Sequence, residues 1–145
     1  MSVLTDRISA LGPLVQFKAM QSRQRVEALK KAGIPFSSPC VGLGLLDTGA
    51  SCSALDRGLI ASLGLDFRGI THIHTPSTGP AFQTCNQYDV CIVLGETQTH
   101  PLVVTLPVIE SDFSTQGFQA LIGRDVLRHC IFTFEGPKGS FRLEF

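Results

Sequence analysis

The chain has 145 residues, of which 43% are hydrophobic and 17% charged, and its twelve Lys and Arg balance its twelve Asp and Glu. This length favours a single domain with a proper core, and the composition excludes a disordered chain or a long coiled coil. Because the formal net charge is zero and the basic residues are scattered, nucleic acid and membrane surfaces are not expected as partners. No apolar run reaches the roughly 18 residues of a membrane-spanning helix.

The first predicted elements are a strand and a short helix. Residues 1–13 are expected to form an irregular arm. Val15, Phe17 and Ala19 alternate with Gln, Lys and Met side chains, a spacing that predicts a strand. A serine suited to the N-cap and a glycine suited to the residue after the last turn predict a helix over about 23–32.

The middle of the chain carries an apolar strand that leads into a polar turn. Residues 41–46 are a short apolar run, predicted to be a buried strand, and they end at the turn Asp-Thr-Gly-Ala-Ser at 47–51. A short capped helix is predicted over Arg57–Leu63. The β-branched stretch 70–93, centred on Pro-Ser-Thr-Gly-Pro at 76–80, predicts a long hairpin with a Gly/Pro tip.

The last third of the chain is again mostly strand. A strand is predicted at 102–109, followed by a polar loop over 110–118. Residues 120–127 predict a second apolar strand that continues into a turn and a short helix. Strands at 131–134 and 141–145 would form a closing hairpin. About seven strands and three short helices favour a small β-barrel or sandwich.

Two polar segments follow apolar strands and are candidates for chemistry. Asp47 ends its strand with a charge that is costly to bury without partners or a function, and it is followed by Thr48 and Gly49. The hydroxyl can hydrogen-bond backbone, and the glycine lets another chain approach the carboxylate. The second segment, Leu-Ile-Gly-Arg-Asp at 121–125, also begins in an apolar strand.

Together these segments resemble the motif pair of the retropepsin-like aspartic proteases: Asp-Thr-Gly, then two apolar residues followed by Gly-Arg-Asn/Asp. Motif order, spacing and the intervening hairpin agree with that family over about residues 43–145. The helix after the catalytic loop is typical of the bacterial single-domain members. The resemblance implies an all-β fold: a retropepsin-like closed β-barrel (the acid protease fold) with two or three short helices and a flap hairpin. Residues 1–145 would form a single domain with an N-terminal arm (about 1–13) and a helical insertion (about 21–39).

The resemblance also implies roles for individual residues. Asp47 would be the catalytic carboxylate, Thr48 would brace two catalytic loops, and Gly49 would contact substrate backbone. Ala50 would also support the active site, together with Thr48 and Gly49, and its side chain has no hydroxyl group. The flap would lie around Ser77, Thr78, Gly79 and Pro80. The second motif and interface comprise Gly123, Arg124 and Asp125, with Arg124 in an ion pair between subunits.

The function implied is an aspartic-type endopeptidase that hydrolyses peptide or protein substrates. This chemistry needs one carboxylate as base and one as acid, and two carboxyl groups about 3 Å apart share one proton. The chain has a single Asp-Thr-Gly, so a homodimer with Asp47 from each subunit is expected. The mechanism needs no cofactor and no metal. The alternative is a non-catalytic peptide-binding or dimerisation module on the same fold.

Cysteines and histidines suggest weaker alternatives. The five cysteines are an odd number without Cys-x-x-Cys spacing, and no secretory leader is visible, so free thiols in a reducing cytoplasm are expected. Cys52 could be a nucleophile with His100 or His129, but no local signature supports it and a structural thiol is the default. His72 and His74 share a strand face, yet no ligand spacing fits zinc, so solvated histidines are expected.

Overall fold

The structure is a computed structural model that describes residues 1–74 and 79–145. Within these residues ten strands form two sheets, against about seven strands predicted. The larger sheet contains β2 (Leu14–Met20), β3 (Cys40–Leu46), β4 (Ala54–Asp56), β5 (Asp66–Ile73), β6 (Gln83–Leu94), β7 (Leu102–Ser111) and β8 (Ala120–Ile122). The smaller, terminal sheet contains β1 (Val3–Arg7), β9 (Ile131–Glu135) and β10 (Ser140–Glu144).

Six strands of the larger sheet close into a barrel. They follow the order β2-β3-β8-β4-β7-β6, and β2 pairs back onto β6, so that Phe17 lies opposite Leu94. Strand β5 pairs with β6 outside this ring. The predicted all-β fold with a closed barrel is therefore confirmed. Strand β7 extends to Ser111, two residues into the segment predicted as a loop.

The core joins the barrel interior to the terminal sheet. Strand β2 alternates as predicted, with Phe17 and Ala19 buried and the intervening Lys18 half-buried. Phe141 and Leu143 of β10 belong to the same apolar cluster as the barrel residues. The hydrophobic effect therefore holds the two sheets together as well as each sheet itself.

Strand β3 corrects one prediction. It is only half-buried, because Val41 and Leu43 are 54% and 41% exposed on the outside of the barrel. Its glycines face the packed side instead. A Cβ on Gly44 would lie 2.8 Å from Cγ1 of Ile122, a distance that real Cβ atoms do not show. The glycine therefore lets β3 approach a large core side chain closely, which an apolar run in the sequence does not reveal.

The N-terminal arm is the second correction. Residues 3–7 are not irregular but form β1, which pairs antiparallel with β10, so that Leu4 lies opposite Leu143. The backbones of Ser2 and Phe145 also exchange two hydrogen bonds, of 2.7 and 3.0 Å. The partner strand is at the far end of the chain, so no local pattern could have revealed this pairing.

The two longer helices begin and end where their caps predict. The Ser22 hydroxyl accepts a hydrogen bond from the N–H of Arg25, and the left-handed Gly33 ends the same helix. The Asp56 carboxylate accepts from the N–H of Gly58 at the start of the next helix. These contacts are those expected of N-cap residues. The helices are α1 (Arg23–Ala32), α2 (Arg57–Leu63) and α3 (Arg124–Leu127).

The predicted hairpin is formed by β5 and β6. Its last described pair is Ile73 opposite Gln83, and an irregularity lies between Phe67 and Gly69. Strand β5 begins at Asp66, four residues before the predicted start. No helix in the described parts of the chain is long and apolar enough to cross a membrane.

Of the four predicted flap residues, the structure describes two, in the segment between β5 and β6. Ser77 and Thr78 are outside the described residues. Gly79 and Pro80 form an exposed turn, and Gly79 has φ +58°, a left-handed conformation that favours glycine. Whether this hairpin closes over a substrate stays a prediction.

Candidate active site

Asp47 follows directly on β3, beside the end of β8. These two strands are parallel neighbours, with Leu46 opposite Ile122. The N–H of Asp47 donates to the carbonyl of Ile122 at 2.9 Å, and the N–H of Gly49 donates to Oδ1 of Asp47 at 2.9 Å. The carboxylate is half-buried and is oriented by the backbone of its own turn. A carboxylate held in this way can present its second oxygen, Oδ2, to a reacting group.

The segment after β8 crosses the turn that carries Asp47. The N–H of Arg124 donates to the carbonyl of Ala50 at 2.9 Å, and its guanidinium donates to the carbonyl of Thr48 at 2.8 Å. At Gly123 a Cβ would lie 2.8 Å from the carbonyl carbon of Cys52 and 3.0 Å from the carbonyl oxygen of Ala50. Only glycine lets the two segments approach this closely.

Asp125 ties the two segments with its side chain. Its Oδ2 accepts from the N–H of Ser53 at 2.8 Å, and its Oδ1 accepts from the Ser53 hydroxyl at 2.6 Å. The Ser53 side chain is fully buried, and its hydroxyl accepts from the N–H of Gly123 at 2.9 Å. Sequence reasoning missed this role of Ser53, since a single sequence contains no signal that pairs it with Asp125.

The structure thus brings the two predicted motifs together in one place. Some of the implied roles are not tested in a single chain. The Thr48 side chain is exposed, and its contact with a second catalytic loop stays a prediction. Arg124 has no acidic partner among residues 1–74 and 79–145, and its ion pair between subunits also stays a prediction.

An apolar cluster lies beside the two motifs. Its buried members are Ala54 of β4, Cys85 of β6 and Ile109 of β7. Half-buried residues pack against them from the turn that carries Asp47, the hairpin, the loop after β7 and the middle of β8: Cys52, Ile73, Phe113 and Leu121. This cluster therefore connects the hairpin to the turn that carries Asp47.

The thiols of Cys52 and Cys130 do not suit nucleophilic chemistry. Burial raises the pKa of Cys52, and the charge of Asp125 raises it further, although a hydrogen bond involving Ser51 lowers it. Burial raises the pKa of Cys130 to about 11. All five cysteines are free. Since the thiolate is the nucleophilic form, Cys52 is not activated at neutral pH, which supports its assignment as a structural thiol.

The histidines of the hairpin contact Phe82 and a threonine. The ring of His74 lies 4.2 Å from that of Phe82, and His72 Nδ1 is 3.4 Å from the hydroxyl of Thr84. In the part of the chain that the structure describes, no three His, Cys, Asp or Glu side chains gather as a metal site would need. A cavity of about 200 Å³ lies between β1 and β2 and is not lined by Asp47.

Comparison with solved structures identifies the fold. A retropepsin-like aspartic protease from Rickettsia conorii superposes with a TM-score of 0.61, covering 99% of this chain and 91% of that one. The chain has the retropepsin-like fold. Sequence identity to this protein is only 16%, so the likeness concerns the fold and does not by itself assign an activity. No protein-family model matches the sequence, and no curated protein matches it either.

Proposed function

We propose that this chain is an aspartic endopeptidase whose active form is a homodimer. The observation that carries the proposal is the position of Asp47: its half-buried carboxylate emerges between the ends of two parallel strands and is oriented by a backbone N–H. Two further observations support this proposal. The chain has the retropepsin-like fold, and its Asp-Thr-Gly sequence lies in the turn between β3 and β4. The reaction is hydrolysis of a peptide bond.

The chemistry requires a second carboxylate. One carboxylate takes a proton from the attacking water, while the protonated one donates its proton to the carbonyl oxygen of the substrate. The proton taken from water then passes to the leaving amine, and the second carboxylate recovers its own proton as the carbonyl re-forms. No second Asp-Thr-Gly occurs in the sequence. Asp47 of a second copy therefore supplies the partner, across a twofold axis.

The terminal sheet offers a surface for this second copy. Within the described residues β1 and β9 each pair only with β10, so each has one edge without a partner strand. Strand β9 also exposes Ile131 and Phe134, at 55% and 58%. An unpaired edge with exposed apolar side chains favours pairing with another strand. We propose that the dimer buries the free edge of β9.

The substrate in this proposal is an extended peptide or protein segment. Such a segment would pair with backbone of the β5–β6 hairpin, as an added strand does. Ile73 and Leu121 would contact its side chains, since both are half-buried next to the catalytic turn. Neither a metal nor a cofactor takes part in this reaction. The five free thiols favour a reducing compartment such as the cytoplasm.

We further propose that residues 1–145 act as one domain. The apolar cluster is continuous from β2 in the barrel to Phe141 and Leu143 in the terminal sheet. The helix α1 lies between β2 and β3, within the proposed insertion at 21–39.

The test is Asp47→Asn, which keeps the size of the side chain and removes its titrating group. We expect hydrolysis of a denatured protein substrate to fall at least a thousandfold, with the thermal transition within about 3 °C of wild type. Asp112→Asn is the matched control, because Asp112 is exposed in the loop after β7, where its carboxylate accepts from Ser114. Control activity should equal that of wild type.

Two outcomes would contradict the proposal. Near wild-type turnover by folded Asp47→Asn would exclude an aspartic mechanism. A wild-type protein that binds denatured protein or forms dimers without cutting any substrate would favour the non-catalytic module.

Specific activity should also fall when the protein is diluted to concentrations at which the dimer dissociates, since the site is incomplete in a monomer.

A further inference from the structure

Strand β1 has an open edge on the side away from β10. Ser2 exchanges two backbone hydrogen bonds with the last residue of the chain, and the N–H of Ile8 donates to the carbonyl of Gly139 at 2.9 Å. In an antiparallel pair, bonded and non-bonded residues alternate along the strand, so the even-numbered residues of β1 bond to β10. The backbone N–H and carbonyl groups of Val3 and Thr5 therefore point outward and have no partner among the described residues.

A cavity lies beside this edge. It has a volume of about 200 Å³, and its walls include Leu4, Thr5 and Asp6 of β1. Its other walls include Val15 of β2 and Val41 of β3, whose side chain is 54% exposed. A water molecule occupies about 30 Å³ in the liquid, so the cavity has room for about six non-hydrogen atoms. This is the space that one long side chain needs.

The charges around the cavity favour a cation. The charged side chains in its walls are those of Asp6, Lys18 and Glu96. The Lys18 ammonium forms an ion pair with Glu96, whereas no basic side chain of the described residues forms an ion pair with Asp6. The neighbouring Arg7 has its side chain on the opposite face of the strand, because successive side chains alternate. One negative charge at the cavity is therefore not balanced, and a basic group would complement it.

We propose that the open edge of β1 and this cavity form a binding site for an extended segment of another protein that carries a lysine or arginine side chain. The segment would add to the terminal sheet as a fourth strand, bonded to the outward backbone groups of Val3 and Thr5. Its basic side chain would enter the cavity, with the aliphatic part against the apolar walls and the charge near Asp6.

This site is separate from Asp47 and from the proposed dimer contact. Strands β1 and β9 lie at opposite ends of the order β1-β10-β9, so a dimer that buries the free edge of β9 leaves the edge of β1 open. Asp47 does not line the cavity. The inference therefore goes beyond the proposed function and does not depend on hydrolysis.

Two synthetic peptides test the proposal. The first is the blocked heptapeptide Thr-Val-Thr-Lys-Thr-Val-Thr, and the second has glutamate in place of lysine. Each is titrated into the isotope-labelled full-length protein, and binding is followed through the backbone amide NMR signals. We expect saturable binding of the lysine peptide, with the largest shifts at Val3, Thr5 and Asp6. The glutamate peptide should bind about fivefold more weakly at low salt, and high salt should largely remove this difference.

Asp6→Asn tests the charge at the cavity. Oδ1 of Asp6 accepts from the N–H of Arg7 at 2.7 Å, and asparagine retains an oxygen for this bond, so β1 should stay in place. The preference for the lysine peptide should fall to about twofold or less. Asp112→Asn is the matched control, because Asp112 is an exposed aspartate in the loop after β7. It should leave the preference unchanged.

Thr5→Pro tests the open edge. It removes the outward N–H without removing a bond to β10, and proline is tolerated where the N–H of an edge strand faces solvent. We expect both peptides to bind about tenfold more weakly. Thr5→Val is the matched control, because it keeps the N–H and nearly the same shape, and it should bind both peptides as wild type does. If Thr5→Pro disrupts β1, Asp6→Asn decides the proposal with the two peptides.

Three results with the wild-type protein would overturn the proposal. They are no saturation by the lysine peptide up to about 5 mM, equal binding of the two peptides at low salt, or shifts confined to residues 47–53 and the β5–β6 hairpin. It is also overturned if the Val3 and Thr5 signals shift with protein concentration alone, because a second copy then occupies the edge. Failure of the proposed function is a separate result: Asp47→Asn should bind the lysine peptide as wild type does.

Discussion

Helix α1 is held mostly by contacts between residues three or four positions apart, together with one ion pair from Arg25 to Asp66 of β5, whereas the turn that carries Asp47 is held by residues 70 to 76 positions away. The Ser22 hydroxyl accepts from Arg25, and Arg23 pairs with Glu27, while no residue of α1 is fully buried. In the turn that carries Asp47, Ser53 is fully buried and bonds to Asp125. Changes in α1 should therefore cost little stability and leave the site intact, while changes in the turn should affect stability and activity together.

The largest effect is expected for Gly123→Ala. The added methyl would lie 2.8 Å from the backbone of Cys52, and backbone cannot rotate away as a side chain can. We expect a loss of about 2–3 kcal/mol in the free energy of unfolding in urea, with activity lost as well.

Gly136→Ala is the control for this variant, because the nearest atom to its added Cβ is Phe134 Cε1 at an ordinary 3.5 Å. It should change stability by less than about 0.5 kcal/mol. Equal effects of the two variants would show that the close crossing at Gly123 is not a constraint.

A smaller effect is expected for Ser22→Ala, which removes the N-cap contact of α1. The expected loss is about 1 kcal/mol, measured by urea unfolding, with kcat and KM unchanged. Ser38→Ala, in the exposed loop after α1, should be neutral. A large loss of activity in Ser22→Ala would mean that α1 contributes to the site and is not independent of it.

The smallest effect is expected for Glu27→Gln. It removes the ion pair with Arg23. The Arg23 side chain is 92% exposed and the Glu27 side chain is 62% exposed. Solvent and salt screen such pairs, so the loss should be less than about 0.5 kcal/mol and should vanish at 1 M salt. A loss above 1 kcal/mol that persists in salt would show that α1 is held more firmly than its exposure suggests.

The difference between local and distant contacts explains which features the sequence could predict. The bounds of α1 and α2 follow from caps that involve neighbouring residues, and the alternation of β2 is local too. The motifs at 47–49 and 121–125 are also short and local, so both parts of the candidate site could be recognised in the sequence. Their resemblance to one family, together with the strand-rich pattern, predicted the closed barrel.

The missed features all depend on distant partners. Strand β1 forms because β10 is beside it, although some 130 residues separate them. Strand β4 has only three residues, too few for a periodic pattern, and is held between β7 and β8. Ser53 gains its importance only from Asp125 and Gly123. Burial and pairing at long range are set by packing, which local composition does not encode.

Closure of the barrel by the β2–β6 pairing has a consequence for proteolytic maturation. Met20 of β2 lies opposite Cys91, and the other edge of β2 pairs with β3 along Leu14 to Ala19. A cut in the exposed loop 34–39 followed by loss of the N-terminal fragment would remove β2 and leave two open edges. A cut at that loop can therefore nick this protein, but removal of the fragment would open the barrel that β2 closes.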